Sequence, residues 1–335
     1  MKPLEGILEA AKRARKRIVL SEGEDRRIAE AAVRAAGDGL AEIVLVGDRA
    51  TVARRLGEFG TGADAAAGLR IEDPQSSPLT PRLAAAYHAL RRTKGVDAEA
   101  AAAAVRSPLI FSAMMVREGE ADGTVGGAVA TTADTVRTAL QTIGRAPGAK
   151  IVSSFFLMLL CQPHHARKGA FVFADCGLVV DPDAAELADI AVASARSHQA
   201  LTGQPSKVAM LSFSTHGSAA HERVTEVAEA TRLARAAAPD LLIDGELQFD
   251  AAFVEAVGAV KAPDSPLHGQ ANVFVFPNLD AANIGYKIAQ RIGGAVAVGP
   301  ILQGLARPAN DLSRGCSAED VYHMIAVTGV QAAGN

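Results

Sequence analysis

Between Val298 and Asp320 the chain gathers the residue types that acyl or phosphoryl transfer needs. Ser313 offers a hydroxyl and Arg314 a guanidinium, and six to seven residues past Ser313 stand two carboxylates, Glu319 and Asp320. A buried strand at Ala295–Val298 is expected to run into Gly299-Pro300. A polar loop would then carry Asn310, Asp311, Ser313 and Arg314, and Gly315-Cys316-Ser317 would open a final helix. Strand, glycine-bearing loop and helix N-terminus together present backbone N–H groups to an anion.

The same residues have structural readings. Ser317-Ala-Glu-Asp320 is spelled like a capping box, in which the Ser317 hydroxyl takes the N3 amide and the N3 carboxylate reaches back. Ser313 can likewise cap a turn, and pattern alone leaves both readings open. Arg307 and Arg314 flank a Gly/Pro-rich loop, which places them at an exposed strand end. Arg91-Arg92 and Lys94 end a helix before Gly95, where a positive charge suits the helix dipole. Arg137 falls inside a helix after Gly126-Gly127, where a solvated face is the structural alternative.

These groups must be positioned by an alternation of strands and helices. Arg17–Leu20 and Glu42–Val46 are β-branched runs separated by a helical pattern with Ile28, Ala32 and Ala35 on one face. That rhythm is the signature of a parallel α/β sheet. Further strands are expected at Leu69–Glu72 and Ala121–Val125, and helices at Ala98–Val105 and Thr132–Ile143. Gly144–Lys150 is the candidate linker, because Gly and Pro cluster there between periodic segments. The rhythm then restarts, with strands at Ile151–Leu160, Ala170–Ala174, Val208–Leu211, Leu241–Asp244, Asn272–Val275 and Ala295–Val298. The last helix, Ser317–Gln331, follows second-domain strands and is expected to cross back onto the first domain. The expected division is 1–148 with 305–335, and 149–304.

A chain of 335 residues exceeds the size at which single cores split, so two domains are expected. With 49% hydrophobic and 21% charged residues it reads as folded and globular. Aromatic residues are only 4% and Trp is absent, which predicts a core resting on Ala, Val, Leu and Ile. A net charge of −3 gives no global attraction to nucleic acid or an anionic membrane, so any phosphate-rich ligand falls to local Arg clusters. Cys161, Cys176 and Cys316 form no CxxC and no even set, which points to free thiols in a reducing compartment. The longest apolar run, Ile151–Cys161, is too short to span a bilayer. A soluble cytoplasmic protein is expected. No GxxxxGK[ST], GxGxxG or HExxH is present. His164 and His165, being adjacent, would point apart on a strand or helix, and no metal is expected.

Several segments together carry a resemblance. Gly299-Pro-Ile-Leu-Gln-Gly-Leu-Ala-Arg-Pro-Ala-Asn-Asp-Leu-Ser-Arg-Gly315, the Leu109–Thr142 region with SPLIFSAMMVREGEADGTVGGAVATTADTVRTALQ, and IVSSFFLMLL at 151–160 closely resemble phosphate acetyltransferases (phosphotransacetylases). So do Ala174–Pro182 (ADCGLVVDP), Asp244–Ala251 (DGELQFDA) and Pro277–Lys287 (PNLDAANIGYK). The resemblance covers nearly the whole chain. It implies the reversible reaction of acetyl-CoA with inorganic phosphate to give acetyl phosphate and CoA, with no cofactor beyond these substrates. It further implies two α/β domains with an interdomain cleft, similar to the isocitrate/isopropylmalate dehydrogenase-like fold, and a homodimer.

Residue by residue, Asp320 resembles the base that takes the CoA thiol proton, and Ser313 the hydroxyl that stabilises the tetrahedral transition state. Arg314 is similar to the arginine that holds the phosphoryl group, and Arg91 and Arg137 to arginines that bind substrate or CoA phosphates. Asn310 and Gly299 complete the expected substrate-binding set, with the backbone after Gly299 or at Gly315 as oxyanion donors. In Ser212-Phe-Ser-Thr-His-Gly-Ser218 the resemblance leads one to expect Lys where His216 stands, which would make phosphate binding pH-dependent.

The base carries a tension. Moving a proton from a thiol of pKa ~8.5 to a carboxylate of ~3.9 is uphill by roughly 6 kcal/mol. Either burial of Asp320 offsets this, or transfer is concerted with C–S bond formation. Cys316, three residues from Ser313, suggests an acetyl-enzyme route instead, against which stands the ordinary packing role of a small apolar cysteine. The rival functions are a non-catalytic acetyl-CoA-sensing domain, as in similar domains fused to malic enzymes, and a propionyl- or butyryl-preferring acyltransferase.

Overall fold

The computed structural model describes residues 2–60 and 68–334. The chain divides into two compact units, Glu5–Pro147 with Leu305–Asn335, and Gly148–Gly304 with Met1–Leu4. Among the described residues eleven strands run in chain order as β1 (Arg17–Leu20), β2 (Glu42–Val46), β3 (Leu69–Glu72), β4 (Gly123–Gly126), β5 (Ser153–Leu160), β6 (Gly169–Ala174), β7 (Lys207–Leu211), β8 (Leu242–Leu247), β9 (Val273–Val275), β10 (Val296–Gln303) and β11 (Ala309–Asp311).

In the first of these units a fully parallel five-stranded sheet has the order β11-β4-β1-β2-β3. Ile18, Val19 and Leu20 of β1 are wholly buried, as both-faced burial of a parallel sheet demands. The helix Arg26–Gly37 lays Ile28, Ala29, Ala32 and Ala35 against the sheet and is capped by Asp25, whose carboxylate accepts from the Arg27 amide at 2.8 Å. The final helix, Ala318–Ala333, is apolar almost all round from Val321 to Val330 and lies in the core beside that helix, β4 and β1.

The other unit has a mixed six-stranded sheet in the order β10-β5-β6-β9-β7-β8. The β10–β5 and β5–β6 pairs are antiparallel, and the rest are parallel. Its core departs from the composition-based expectation. Phe171, Phe173, Phe249, Phe253, Phe274 and Phe276 form one web of ring contacts, and Phe156 stacks on Tyr286 with centroids 4.1 Å apart. A low overall aromatic share concealed a local concentration in this unit.

Three other expectations are corrected. β10 does not stop at Val298 but continues to Gln303, with a bulge in which Gly299 and the cis-linked Pro300 lie opposite Phe156. Asn310 and Asp311 are not in a loop, since they pair with Val125 and Gly126 as the short strand β11. His164 and His165 sit in an irregular turn rather than a strand or helix, so their rings converge: both Nε2 atoms lie on the Gly293 carbonyl, at 2.9 and 2.8 Å. Among the described residues no group of three or more His, Cys, Asp or Glu is arranged to hold a metal, and no single helix is long and apolar enough to cross a membrane.

Candidate active site

Because β11, β4 and β1 are neighbours and parallel, their C-terminal ends emerge side by side. That edge carries Ser21-Glu22, Gly126-Gly127 and Leu312-Ser313. In open α/β sheets this is the end at which ligands bind. The two glycines are obligatory for the close approach. A Cβ on Gly126 would collide with the Ser21 hydroxyl, and one on Gly127, at φ +97°, with Asp311 Oδ1. The Leu312 amide donates to the Gly126 carbonyl at 2.7 Å, which fixes the exit of β11 to the turn after β4.

Two side chains, Glu22 and Arg27, hold the three segments together. The Glu22 carboxylate accepts from the backbone amides of Ala128, Val129 and Ala130 at 2.7, 3.1 and 2.7 Å. Arg27 spans the rest: it donates to the carbonyls of Arg314 (2.7 Å), Cys316 (3.0 Å) and Ala128 (2.8 Å). Its remaining N–H groups pair with Asp25, which holds the Asp25 carboxyl below its ordinary range. Arg27 thus shapes the backbone that carries Ser313 and Arg314. Sequence reasoning passed over both Glu22 and Arg27. The available signal was the charge-dense Glu22-Gly-Glu-Asp-Arg-Arg27 run at a strand end.

On this frame Ser313, Arg314 and Asp320 are all exposed. Ser313 Oγ accepts the Gly315 amide at 3.2 Å, so that amide is occupied, while the hydroxyl proton stays available to an incoming acceptor. The Arg314 guanidinium forms no hydrogen bond among the described residues, and only its carbonyl is held. The two carboxylates at the helix start are differently placed. Glu319 is paired with Arg34 and with His323 Nε2 at 3.0 Å. Asp320 has no cationic partner among the described residues. It is N3 of the capping box: Oδ2 accepts the Ser317 amide and hydroxyl, each at 2.8 Å, and its own amide donates to Ser317 Oγ at 3.2 Å. Both bonds fall on Oδ2, leaving Oδ1 open.

The remaining expected residues are scattered. Arg137 is exposed on the helix Thr132–Thr142 and paired with Asp134 at 2.8 Å. Its helix is tied to the site because Thr132 Oγ1 donates to Asp311 Oδ2 at 2.7 Å. Arg91 ends the helix Thr80–Arg91, with a buried Nε that has no hydrogen-bond partner among the described residues. The Asn310 amide is buried and donates to Thr328 (2.8 Å) and Gln331 (2.7 Å), two residues of the final helix. Gly299 lies in the other unit, where a Cβ would come within 2.8 Å of the Phe156 ring. His216, at φ +46°, is turned onto a carboxylate. Its Nε2 lies 3.3 Å from the buried Asp244, which also accepts from Arg235 and Ser265.

Asp311 is wholly buried, two residues before Ser313. Its Oδ1 has no hydrogen-bond partner among the described residues. Burial pushes its carboxyl up to about 6, against the opposing pull of the Thr132 and Thr135 hydroxyls, with the nearby Glu22 charge adding to the rise. Cys316 is buried too, and burial pushes its thiol above the ordinary range.

The chain is similar to known proteins over nearly its whole length. Residues 3–329 match the family described as Phosphate acetyl/butaryl transferase. A phosphate acetyltransferase of Paracoccus denitrificans is 54% identical over 331 residues, covering 99% of both chains. A phosphotransacetylase structure from Streptococcus pyogenes superposes with a TM-score of 0.92 at 44% identity, covering 100% of this chain and 99% of that one. A 4-hydroxythreonine-4-phosphate dehydrogenase from Klebsiella pneumoniae, 14% identical with a TM-score of 0.52 over 95% of this chain and 99% of its own, shares the fold alone.

Proposed function

The chain belongs to the phosphate acetyl/butyryl transferase family, and we propose that it is a phosphate acetyltransferase interconverting acetyl-CoA plus phosphate and acetyl phosphate plus CoA. The observation that carries the reading within the structure is the presentation of Ser313, Arg314 and Asp320 on one exposed loop and helix start, with Arg27 holding the loop backbone from below.

In the proposed reaction the CoA sulfur attacks the acetyl carbonyl of acetyl phosphate. Asp320 Oδ1 takes the thiol proton, the Ser313 hydroxyl donates to the developing oxyanion, and the Arg314 guanidinium holds the phosphoryl oxygens until phosphate leaves. Arg91 and Arg137 are assigned the phosphates of CoA, because a chain of net charge −3 must meet that polyanion with local arginines. Asp320 is exposed, so desolvation of the carboxylate finds no support, and the reading keeps proton transfer concerted with C–S bond formation. Acetyl phosphate is already activated, so the route calls on no cofactor or metal. The reading includes a homodimer located in the cytoplasm.

The testing experiment compares kcat/KM for acyl-CoA formation from acetyl, propionyl and butyryl phosphates. The expected order has acetyl first. A butyryl preference would move the chain to the other branch of its family, and CoA binding without turnover of any acyl phosphate would make it a sensing domain.

A further inference from the structure

The turn Gly127–Ala130 presents an apolar side chain among hydroxyls and charges. Among the described residues of the unit that holds Ser313, two large apolar side chains are exposed, Val129 at 62% and Leu140 at 41%. Leu140 lies well down the helix Thr132–Thr142, about 12 Å along the axis from its first residue. Val129 stands at the sheet edge itself, between the C-terminal end of β4 and the Thr131 cap of that helix.

The backbone that carries Val129 is pinned to the loop that carries Ser313. Glu22 accepts the amides of Ala128, Val129 and Ala130. The Ala128 carbonyl accepts from Arg27 Nη2 at 2.8 Å, and Nη1 of the same guanidinium donates to the Arg314 carbonyl at 2.7 Å. One planar side chain thus holds both the residue before Val129 and the residue after Ser313. Valine is stiff at χ1, so on a fixed backbone it forms a wall rather than a yielding contact. An apolar group set among polar ones meets the apolar part of a ligand. The acyl chain begins one bond from the carbonyl whose developing oxyanion is assigned to Ser313, whereas the apolar part of the CoA arm lies many bonds beyond the sulfur. We propose that Val129 is a specificity-determining residue, whose isopropyl group borders the acyl chain and limits its length. The inference rests on the acetyltransferase reading and adds to it the side chain that sets substrate length.

Steady-state kcat/KM for acyl-CoA formation from acetyl, propionyl and butyryl phosphates tests it, with wild type, Val129→Ala and Val129→Ile. Val129→Ala removes two methyl groups and should raise the butyryl-to-acetyl ratio about tenfold. Val129→Ile adds one carbon and should lower the propionyl-to-acetyl ratio about tenfold, and KM for CoA should be unchanged in both variants. Each ratio is taken within one preparation, so a partly misfolded variant does not alter it. Unchanged ratios in both variants, with or without a raised KM for CoA, would overturn the inference and leave the acetyltransferase reading intact. A wild type that turns over no acyl phosphate, or that prefers butyryl phosphate, would overturn both.

Discussion

Ser317 and Asp320 cap one another at the start of the last helix, and both hydrogen bonds that Asp320 accepts fall on Oδ2. The cap therefore orients the carboxylate while leaving its other oxygen for chemistry. Replacing the Ser317 hydroxyl removes one of the two holds on Asp320 and the satisfaction of its amide. Ser317→Ala is expected to cost about 1 kcal/mol in equilibrium urea unfolding and to lower kcat, while Ser317→Thr keeps both. Equal kcat in the two variants would show that the cap has no part in aiming the carboxylate.

Asp311 predicts a pH dependence of stability. Its folded carboxyl lies near 6 against an ordinary value of 3.8, so the folded state binds the proton more tightly than the unfolded one. Stability from this group is fully present below about pH 4 and is lost as pH rises through 6, by about 3 kcal/mol in all. Asp311→Asn carries no such charge, so its unfolding free energy relative to wild type should rise by about that amount between pH 4 and pH 7. Parallel stability profiles for the two proteins would contradict the burial of a carboxylate with no cationic partner among the described residues at this point.

Cys316 is buried, its thiol is raised, and its sulfur lies 3.7 Å from an Arg27 nitrogen. A reactive cysteine needs a thiolate and access, and burial supplies neither. Cys316→Ala is expected to keep wild-type turnover in acetyl-CoA formation. Loss of turnover with retained CoA binding would revive the acetyl-enzyme route.

The local readings that succeeded were those whose physics is local. The Ser317–Asp320 cap was spelled in four consecutive residues, and the β-branched runs at Arg17–Leu20 and Glu42–Val46 form the strands they suggest. Ala309-Asn310-Asp311 failed because a three-residue strand containing Asn and Asp has no strand propensity of its own. It exists because β4 is there to pair with. Arg27 and Glu22 escaped for a related reason. Their importance depends on the order β11-β4-β1, which brings Arg27 to carbonyls 287 and 289 positions away in sequence. The sequence already sets Asp320 apart as N3 of the cap, while the pairing of Glu319 with Arg34 and His323 depends on the fold.

The central claim is that Asp320 takes the thiol proton, and single-turnover acetyl-CoA formation by Asp320→Asn tests it most directly. Asn at this position retains an acceptor for the Ser317 cap but cannot accept a proton from sulfur. The account predicts a rate lower by about 10²- to 10⁴-fold with CoA affinity close to wild type. A wild-type rate in Asp320→Asn would contradict it.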